Sequence, residues 1–188
     1  MQTLSVARLY EDQKQELQLE PLTDSLASRL EISQSDIHRP GMALMGFVEN
    51  FLPERVQILA QAELTYLATL EPAEVNAAID RLFKFTMPLI IVCKGLEVPP
   101  YLIQRANESQ VPVLRTTHST TPFIHSLTLY LDHMFAPQTS VHGSLVDVYG
   151  VGLMSPGPSG IGKSECALDL VERGHRLVAD DVVTITRR

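Results

Sequence analysis

The chain has 188 residues, of which 45% are hydrophobic and 20% charged. This length allows one large domain or two small ones, and the composition excludes a disordered or fibrous chain. The 15 basic and 22 acidic residues leave a net charge of −7, which disfavours broad binding to nucleic acid or to an anionic membrane. Apolar runs such as Met87 to Cys93 are too short to span a bilayer, and no secretory signal is visible. With only two distant cysteines, Cys93 and Cys166, we expect a soluble cytoplasmic protein without disulfides or a zinc site.

Residues 1–132 are predicted to form a small mixed α/β domain. Apolar residues at helical spacing and continuous apolar runs of strand length mark its elements. Two such runs separated by one helix are typical of a βαβ unit with a parallel strand pair. The predicted elements are a helix over Leu22 to Leu30, a strand over Val56 to Ala60, a helix over Pro72 to Phe83, a strand over Pro88 to Cys93, a helix over Pro100 to Gln110, a strand over Val111 to Leu114 and a helix over Thr121 to Phe135.

Residues 133–188 are predicted to begin a second α/β domain, with Ala136 to Thr139 as the linker. The first element is a strand pattern over Ser144 to Met154 that two glycines interrupt. A loop rich in Gly, Ser and Pro follows, and then a helix over Lys163 to Arg173 that Gly174 ends. The last predicted element is a strand over Arg176 to Val183. The order of elements is that of one βαβ unit.

The loop before this helix matches the pattern GxxxxGK[ST]. Glycines let the backbone curl so that its N–H groups point at phosphate oxygens, and the helix that follows adds the positive end of its dipole. The lysine of the pattern reaches the β and γ phosphates, and its hydroxyl residue ligates Mg2+. The alternative is a glycine-rich turn without a ligand. The residues of the pattern are Gly157, Pro158, Ser159, Gly160, Ile161, Gly162, Lys163 and Ser164.

Two adjacent carboxylates, Asp180 and Asp181, follow Lys163 by one short helix and one strand. Neighbouring carboxylates repel each other unless a cation or a proton user is near. A Mg2+ ligand, a catalytic base or both would fit this position, and a solvated acidic turn is the alternative. His142, which precedes the strand that leads to the loop, carries no signal of its own.

Three segments of the second half resemble the bacterial HPr kinase/phosphorylase family: Val141 to Leu153, Gly157 to Glu165 and Glu172 to Asp181. Segments of the first half are similar to the pre-kinase domain of that family, and they are His38 to Gly46, Glu54 to Gln57, Val113 to Thr116 and Ser119 to Thr121. The resemblance covers nearly the whole chain in order. It implies that residues 133–188 form the first βαβ part of a P-loop kinase domain.

The resemblance also implies an activity. Enzymes of this family use ATP and Mg2+ to phosphorylate a serine of HPr, the phosphocarrier of the sugar phosphotransferase system, and so regulate carbohydrate metabolism. They also remove that phosphate with inorganic phosphate and release pyrophosphate, and they are expected to be cytoplasmic homohexamers. Matched by position, residues 157–164 become the ATP-binding loop with Ser164 as a Mg2+ ligand, and Lys163 and His142 become active-site residues. Asp181 becomes the group that takes the proton from the serine and returns it.

Two departures from the family accompany the resemblance. Pro158 stands where an acidic residue is common, and it has no N–H to offer a phosphate. The family also continues beyond the Asp180–Asp181 strand with a further Mg2+-binding glutamate, a loop that contacts HPr and C-terminal helices. We therefore expect an incomplete second domain and a poor catalyst. The alternatives are another P-loop NTPase or small-molecule kinase, and a non-catalytic sensor or assembly module.

Overall fold

The computed structural model describes residues 2–187, which fall into two compact units divided between Phe135 and Ala136. Both units combine helices with sheets, so the predicted fold class, a mixed α/β domain followed by a kinase-type portion, is confirmed. This division lies shortly after residue 132, where the sequence predicts the end of the first domain. The predicted domain boundary itself stays a prediction. Among the helices of residues 2–187, none has the length and apolar character needed to cross a membrane.

Within residues 2–135, the first unit contains seven strands and six helices, with a single 3-10 turn at Ser25–Ala27. Short strands and short helices alternate along most of its length. In chain order the elements are β1 (Leu4–Ser5), α1 (Val6–Gln13), β2 (Leu19–Pro21), β3 (Glu31–Ile32), β4 (Ile37–His38), α2 (Gly41–Leu44), β5 (Val56–Leu59), α3 (Gln61–Ala68), α4 (Pro72–Leu82), β6 (Ile90–Val92), α5 (Pro100–Glu108), β7 (Val113–Thr116) and α6 (Thr120–Phe135).

A five-stranded sheet in the order β2-β7-β6-β5-β4 organises this unit. Strands β4 to β7 run parallel, and β2 joins the edge antiparallel. The predicted parallel pair around α5 is confirmed, because β6 pairs with β7 in parallel. Ile90, Ile91 and Val92 are each at most 1% exposed, so the central strand is buried on both faces, as its continuous apolar sequence predicts.

Helices cover both faces of this sheet. One hydrophobic core contains residues of α1 and the apolar stripe of α6, which is Phe123, Leu127 and Leu131. The other core contains the apolar faces of α2 to α5. The helices predicted over Pro72 to Phe83 and Thr121 to Phe135 are therefore present within one residue of their predicted ends.

The helix predicted over Leu22 to Leu30 is wrong, since only the turn Ser25–Ala27 is helical. This segment instead binds to the sheet, because the Leu22 N–H donates to the Val113 carbonyl at 2.8 Å and the Thr23 hydroxyl accepts from the Val113 N–H at 3.0 Å. The strand predicted over Val111 to Leu114 begins later, at Val113. The Val111 N–H donates to the Ala106 carbonyl at 2.9 Å and so still belongs to the end of α5.

The second unit is built around one long strand. Its elements are β8 (Gln138–Val148), β9 (Val151–Pro156), α7 (Lys163–Glu172), β10 (Arg176–Ala179) and β11 (Val182–Thr186). Strand β8 pairs antiparallel with β9 on one side and with β10 on the other, and its first half pairs with β11. The two strands that flank α7 are therefore not neighbours, because β8 lies between them.

Three predictions about this unit need correction. The strand pattern over Ser144 to Met154 is a hairpin, because Tyr149 and Gly150 both adopt positive φ angles, 52° and 83°, and reverse the chain. The predicted linker Ala136 to Thr139 already contains the start of β8, whose Gln138 pairs with Thr186. The strand predicted over Arg176 to Val183 is divided at Asp180 and Asp181 into β10 and β11.

Candidate active site

The loop between β9 and α7 has a backbone that requires glycine. Gly160 and Gly162 have φ angles of 84° and 93°, a region that residues with a side chain rarely enter. Gly162 directly precedes the first residue of α7, Lys163. The first N–H groups of a helix have no partner within the helix, so this end of α7 provides donors next to the curled loop. The loop residues 157–162 thus have the local geometry of a phosphate cradle.

Lys163 and Ser164 begin α7 at the rim of this loop. The Lys163 ammonium group donates to the Pro158 carbonyl at 2.8 Å, which places its charge over the loop. Pro158 lacks an N–H, and in this structure it contributes its carbonyl oxygen instead. Ser164 is exposed. The lysine charge and the serine hydroxyl therefore both lie beside the loop.

Asp180 connects the start of α7 to the central strand. Its Oδ1 accepts from the Ser144 hydroxyl at 2.5 Å and from the Ser164 hydroxyl at 3.4 Å. The Ser144 hydrogen bond is the main cause that lowers the pKa of the Asp180 carboxyl, and the nearby Lys163 charge lowers it further. A carboxylate with a lowered pKa is a weaker proton acceptor and stays anionic, which suits it to a cation.

Asp181 differs from its neighbour in both backbone and contacts. It has a φ of 70°, which is rare for a residue with a side chain. Its carbonyl accepts from the Gly143 N–H at 3.2 Å and lies 3.3 Å from Nδ1 of His142. The His142 carbonyl in turn accepts from the Gly157 N–H at 3.3 Å. Backbone contacts therefore bring the start of the loop, His142 and Asp181 together, while the Asp181 side chain is exposed.

The pairing of β8 with β10 and with β11 explains this arrangement. Ala179 pairs with Leu145 and Val182 pairs with His142, so Asp180 and Asp181 fall opposite Ser144 and Gly143. Asp180 and Asp181 themselves lie between β10 and β11, and the backbone turns at Asp181 with its φ of 70°. The two carboxylates are thus adjacent in sequence but have different surroundings.

Sequence reasoning missed two residues of this site. Ser144 is 1% exposed, and its hydroxyl donates a hydrogen bond to Asp180, which lies 36 positions later in the chain. Gly143 lies so close to β9 that a Cβ atom there would be 2.7 Å from the Ser155 carbonyl oxygen. The only available signal was the Gly–Ser pair directly after His142, and its meaning depends on a strand register that local patterns do not contain.

These residues fit a nucleotide with Mg2+. No group of three or more His, Cys, Asp or Glu side chains that could hold a metal lies within residues 2–187. A Mg2+ ion at a phosphate site needs fewer protein ligands, because it keeps several waters and binds one or two carboxylates together with substrate phosphates. The oxygens of Ser164 and Asp180, 3.4 Å apart, meet that requirement beside the loop.

A mixed α/β unit followed by a strand, a glycine-rich loop and a helix that begins with Lys163–Ser164 is the arrangement of a kinase-type protein. The family model "HPr Serine kinase N terminus" matches residues 4–131, and "HPr Serine kinase C-terminal domain" matches residues 133–188. The chain belongs to the HPr serine kinase family. The resemblance described from its motifs is thereby confirmed.

Individual relatives agree with this assignment. The HPr kinase/phosphorylase of Chloroherpeton thalassium is 44% identical over 188 residues, which are 99% of this chain and 55% of that protein. The HPr kinase/phosphorylase of Geobacillus kaustophilus is 47% identical over 171 residues, 91% of this chain and 55% of the relative. That of Alkaliphilus metalliredigens is 43% identical over 187 residues, 100% of this chain and 59% of the relative. The chain thus spans little more than half the length of the curated relatives it matches.

One solved structure shares the fold at low sequence identity. It contains the CBS and DRTGG domains of the regulatory region of Clostridium perfringens pyrophosphatase, in complex with the activator diadenosine tetraphosphate. The TM-score is 0.51 at 14% identity, and the match covers 94% of this chain and 68% of the other. This likeness concerns the fold alone.

Proposed function

We propose that this chain supplies the nucleotide-binding part of an enzyme that transfers a phosphoryl group from ATP to a serine of HPr and also removes it. The observation that carries the proposal is the contact of Asp180 with both Ser144 and Ser164, directly beside a glycine-rich loop that ends in Lys163. It supplies a carboxylate and a hydroxyl where the phosphates of a nucleotide would need a cation. The names of the relatives supply the protein substrate.

The residues around the loop have separate roles in binding. Backbone N–H groups of residues 159–164 hold the phosphate chain, since Pro158 has none and that of Gly157 donates to the His142 carbonyl, and Lys163 neutralises charge at the β and γ phosphates. Ser164 and Asp180 would hold Mg2+. When bound, Mg2+ neutralises the negative charge that phosphoryl transfer spreads over the phosphate oxygens. Most of the catalytic effect in such sites comes from positioning and charge neutralisation.

Asp181 is the proposed proton acceptor. Its exposed carboxylate takes the proton of the incoming serine hydroxyl as the serine oxygen bonds to the γ phosphorus and the bond to ADP breaks. In the reverse reaction inorganic phosphate attacks phosphoserine, pyrophosphate leaves, and Asp181 returns the proton to the serine oxygen. His142, whose Nδ1 is 3.3 Å from the Asp181 carbonyl, holds the strained turn in place. We further propose a cytoplasmic homohexamer, which follows from the family resemblance.

Calorimetric titration of ATP with Mg2+ tests the binding half of this proposal. Lys163→Ala removes the charged side chain that lies over the loop, so ATP binding should be lost while the circular dichroism spectrum stays unchanged. Lys84→Ala is a matched control, because it removes an exposed lysine of the first unit and should bind ATP as the unaltered chain does. Equal ATP affinity of Lys163→Ala and the unaltered chain would refute the phosphate-binding role of the loop.

The division of labour between the carboxylates is tested in a chain extended to the length of the relatives. Asp181→Asn should lose both HPr phosphorylation and phosphorolysis with ATP affinity preserved, because it removes a base without a loop contact. Asp180→Asn should instead weaken Mg2+-dependent ATP binding, since it removes the negative charge beside Ser164. If Asp181→Asn stays active while Asp180→Asn loses proton transfer with unaltered Mg2+ dependence, the two roles are exchanged. A chain that binds ATP but phosphorylates no HPr would favour a small-molecule kinase.

A further inference from the structure

The first unit has a pocket that the proposed phosphoryl transfer does not use. It lies where β4 and β5 end, at the carboxyl edge of the parallel strands, and has a volume of about 580 Å³. Open α/β sheets commonly bind ligands at this edge, and small-molecule pockets typically measure about 300–1,000 Å³. The lining includes Arg39, Gly41, Met42 and Met45 from the β4–α2 segment and Glu63 and Tyr66 from α3.

A buried carboxylate lies at this pocket. Glu63 is 5% exposed, and its Oε2 accepts from the Ala60 N–H at 3.0 Å and from the Arg39 guanidinium at 2.9 Å. Its Oε1 accepts no hydrogen bond from the residues that the structure describes. This oxygen is not sealed from solvent, so it is accessible from the pocket that Glu63 lines. A ligand N–H group would donate to it in place of water.

The Arg39–Glu63 pair presents both kinds of hydrogen-bonding group side by side. The Arg39 side chain is 44% exposed, so the part of its guanidinium that does not contact Glu63 faces the solvent. A guanidinium only donates and a carboxylate only accepts. The matching ligand edge therefore has an N–H donor next to an acceptor.

The walls of the pocket are apolar and polarisable. Met42 and Met45 are 58% and 54% exposed, an unusual exposure for two large apolar side chains on one short segment. Thioether groups make favourable contacts with aromatic rings, and Tyr66 adds a ring of its own. Such walls suit a flat, aromatic body.

From these features we infer that the pocket binds a purine nucleobase. Adenine offers the N6 amino donor beside the N1 acceptor, and guanine offers the N1–H and N2 amino donors beside the O6 acceptor. Either edge matches Oε1 of Glu63 and the guanidinium of Arg39, with the ring between Met42 and Tyr66. All of these residues belong to the first unit, whereas the loop at residues 157–164 belongs to the second.

Equilibrium titration with adenosine and with guanosine tests the inference. Nucleosides carry no phosphate, so the loop of the second unit gives them little to bind, and the titration is repeated on a chain that carries Lys163→Ala. We expect at least one nucleoside to bind equally well to the unaltered chain and to Lys163→Ala. If Lys163→Ala binds neither nucleoside although the unaltered chain does, the nucleoside binding belongs to the loop and the inference is overturned. This conclusion does not depend on whether Lys163→Ala still binds ATP.

Variants of the pocket complete the test. Glu63→Gln is the obvious one, but it also changes the hydrogen bond to Ala60 and so disturbs α3. Gly41→Ala avoids this, because its Cβ would lie 3.3 Å from Oε1 and cover that oxygen. Met42→Asp removes one wall, and Leu129→Asp is the matched control, since Leu129 is 57% exposed on α6 and outside the pocket lining.

Gly41→Ala and Met42→Asp should each lower nucleoside affinity at least tenfold, while Leu129→Asp should leave it unchanged. Circular dichroism melts confirm that each variant folds. Three results would overturn the inference: neither nucleoside binds, the pocket variants bind as the unaltered chain does, or Leu129→Asp lowers the affinity as much as they do.

Discussion

Gly143→Ala should destabilise the second unit although Gly143 belongs to no sequence motif of the loop. A Cβ atom at this position would lie 2.7 Å from the Ser155 carbonyl oxygen and 3.2 Å from Cα of Pro156. Both neighbours are backbone of the paired strand β9, which cannot rotate away as a side chain would. Overpacking of this kind typically costs about 1–3 kcal/mol. The same substitution should weaken ATP binding, because Pro156 directly precedes the loop.

Hydrogen exchange followed by mass spectrometry measures this effect locally. A loss of about 1–3 kcal/mol corresponds to roughly 5- to 150-fold faster exchange of the amides in β8 and β9. Gly152→Ala is the matched control, since Gly152 also lies in β9 without a positive φ and its Cβ would meet Leu145 at an ordinary 3.5 Å. This control should keep or increase protection, because alanine lowers the entropy of the unfolded chain. Equal exchange in the two variants would refute the close approach of β8 and β9 at Gly143.

Three further outcomes are expected. Ser144→Ala removes the main cause of the lowered pKa of Asp180, so this carboxylate should become protonated at a higher pH than in the unaltered chain. The variant should therefore also lose Mg2+-dependent ATP binding at a higher pH. Coincident pH profiles of the two chains would contradict this. In Gly160→Ala the added Cβ would contact no atom within 4 Å, but the alanine would have to adopt a φ of +84°. This backbone strain of about 1–2 kcal/mol should lower ATP affinity, measured by calorimetry, about 5- to 30-fold. Unchanged affinity would show that the loop needs no such conformation. Ellman's reagent should titrate one thiol in the native chain and two after denaturation, because Cys166 is exposed whereas burial raises the pKa of Cys93 to about 11; two fast native thiols would show that Cys93 is accessible.

The elements that the sequence predicted well are those whose signal is local. The fully apolar run before Cys93 requires burial on both faces, and its strand lies in the middle of the parallel sheet. The loop at residues 157–164 is contiguous, and its glycines and the start of α7 stand where the motif requires them. The α6 stripe has a regular helical spacing over 16 residues. Each of these segments fixes its own conformation.

The errors arose where distant residues compete with a local pattern. The apolar spacing of Leu22 to Leu30 favours a helix, but hydrogen bonds to Val113, some 90 residues away, hold the chain at the sheet edge instead. The hairpin turn at Tyr149–Gly150 was hidden because apolar residues continue on both sides of it. The contact of Ser144 with Asp180 follows from the register of two strands, which no short window of sequence contains.

Two requirements conflict at position 181: the left-handed backbone favours glycine, whereas the proposed proton transfer requires a carboxylate side chain. The φ of 70° at this position costs a residue with a Cβ atom on the order of 1–2 kcal/mol, and glycine would adopt the same angle without that cost. Glycine, however, has no carboxylate to accept a proton. Selection for a more stable fold therefore favours loss of the side chain that the proposed chemistry needs. A search for stabilising substitutions should find position 181 among the first, and in a chain extended to the length of the relatives every gain there should come with a loss of the proposed phosphoryl transfer.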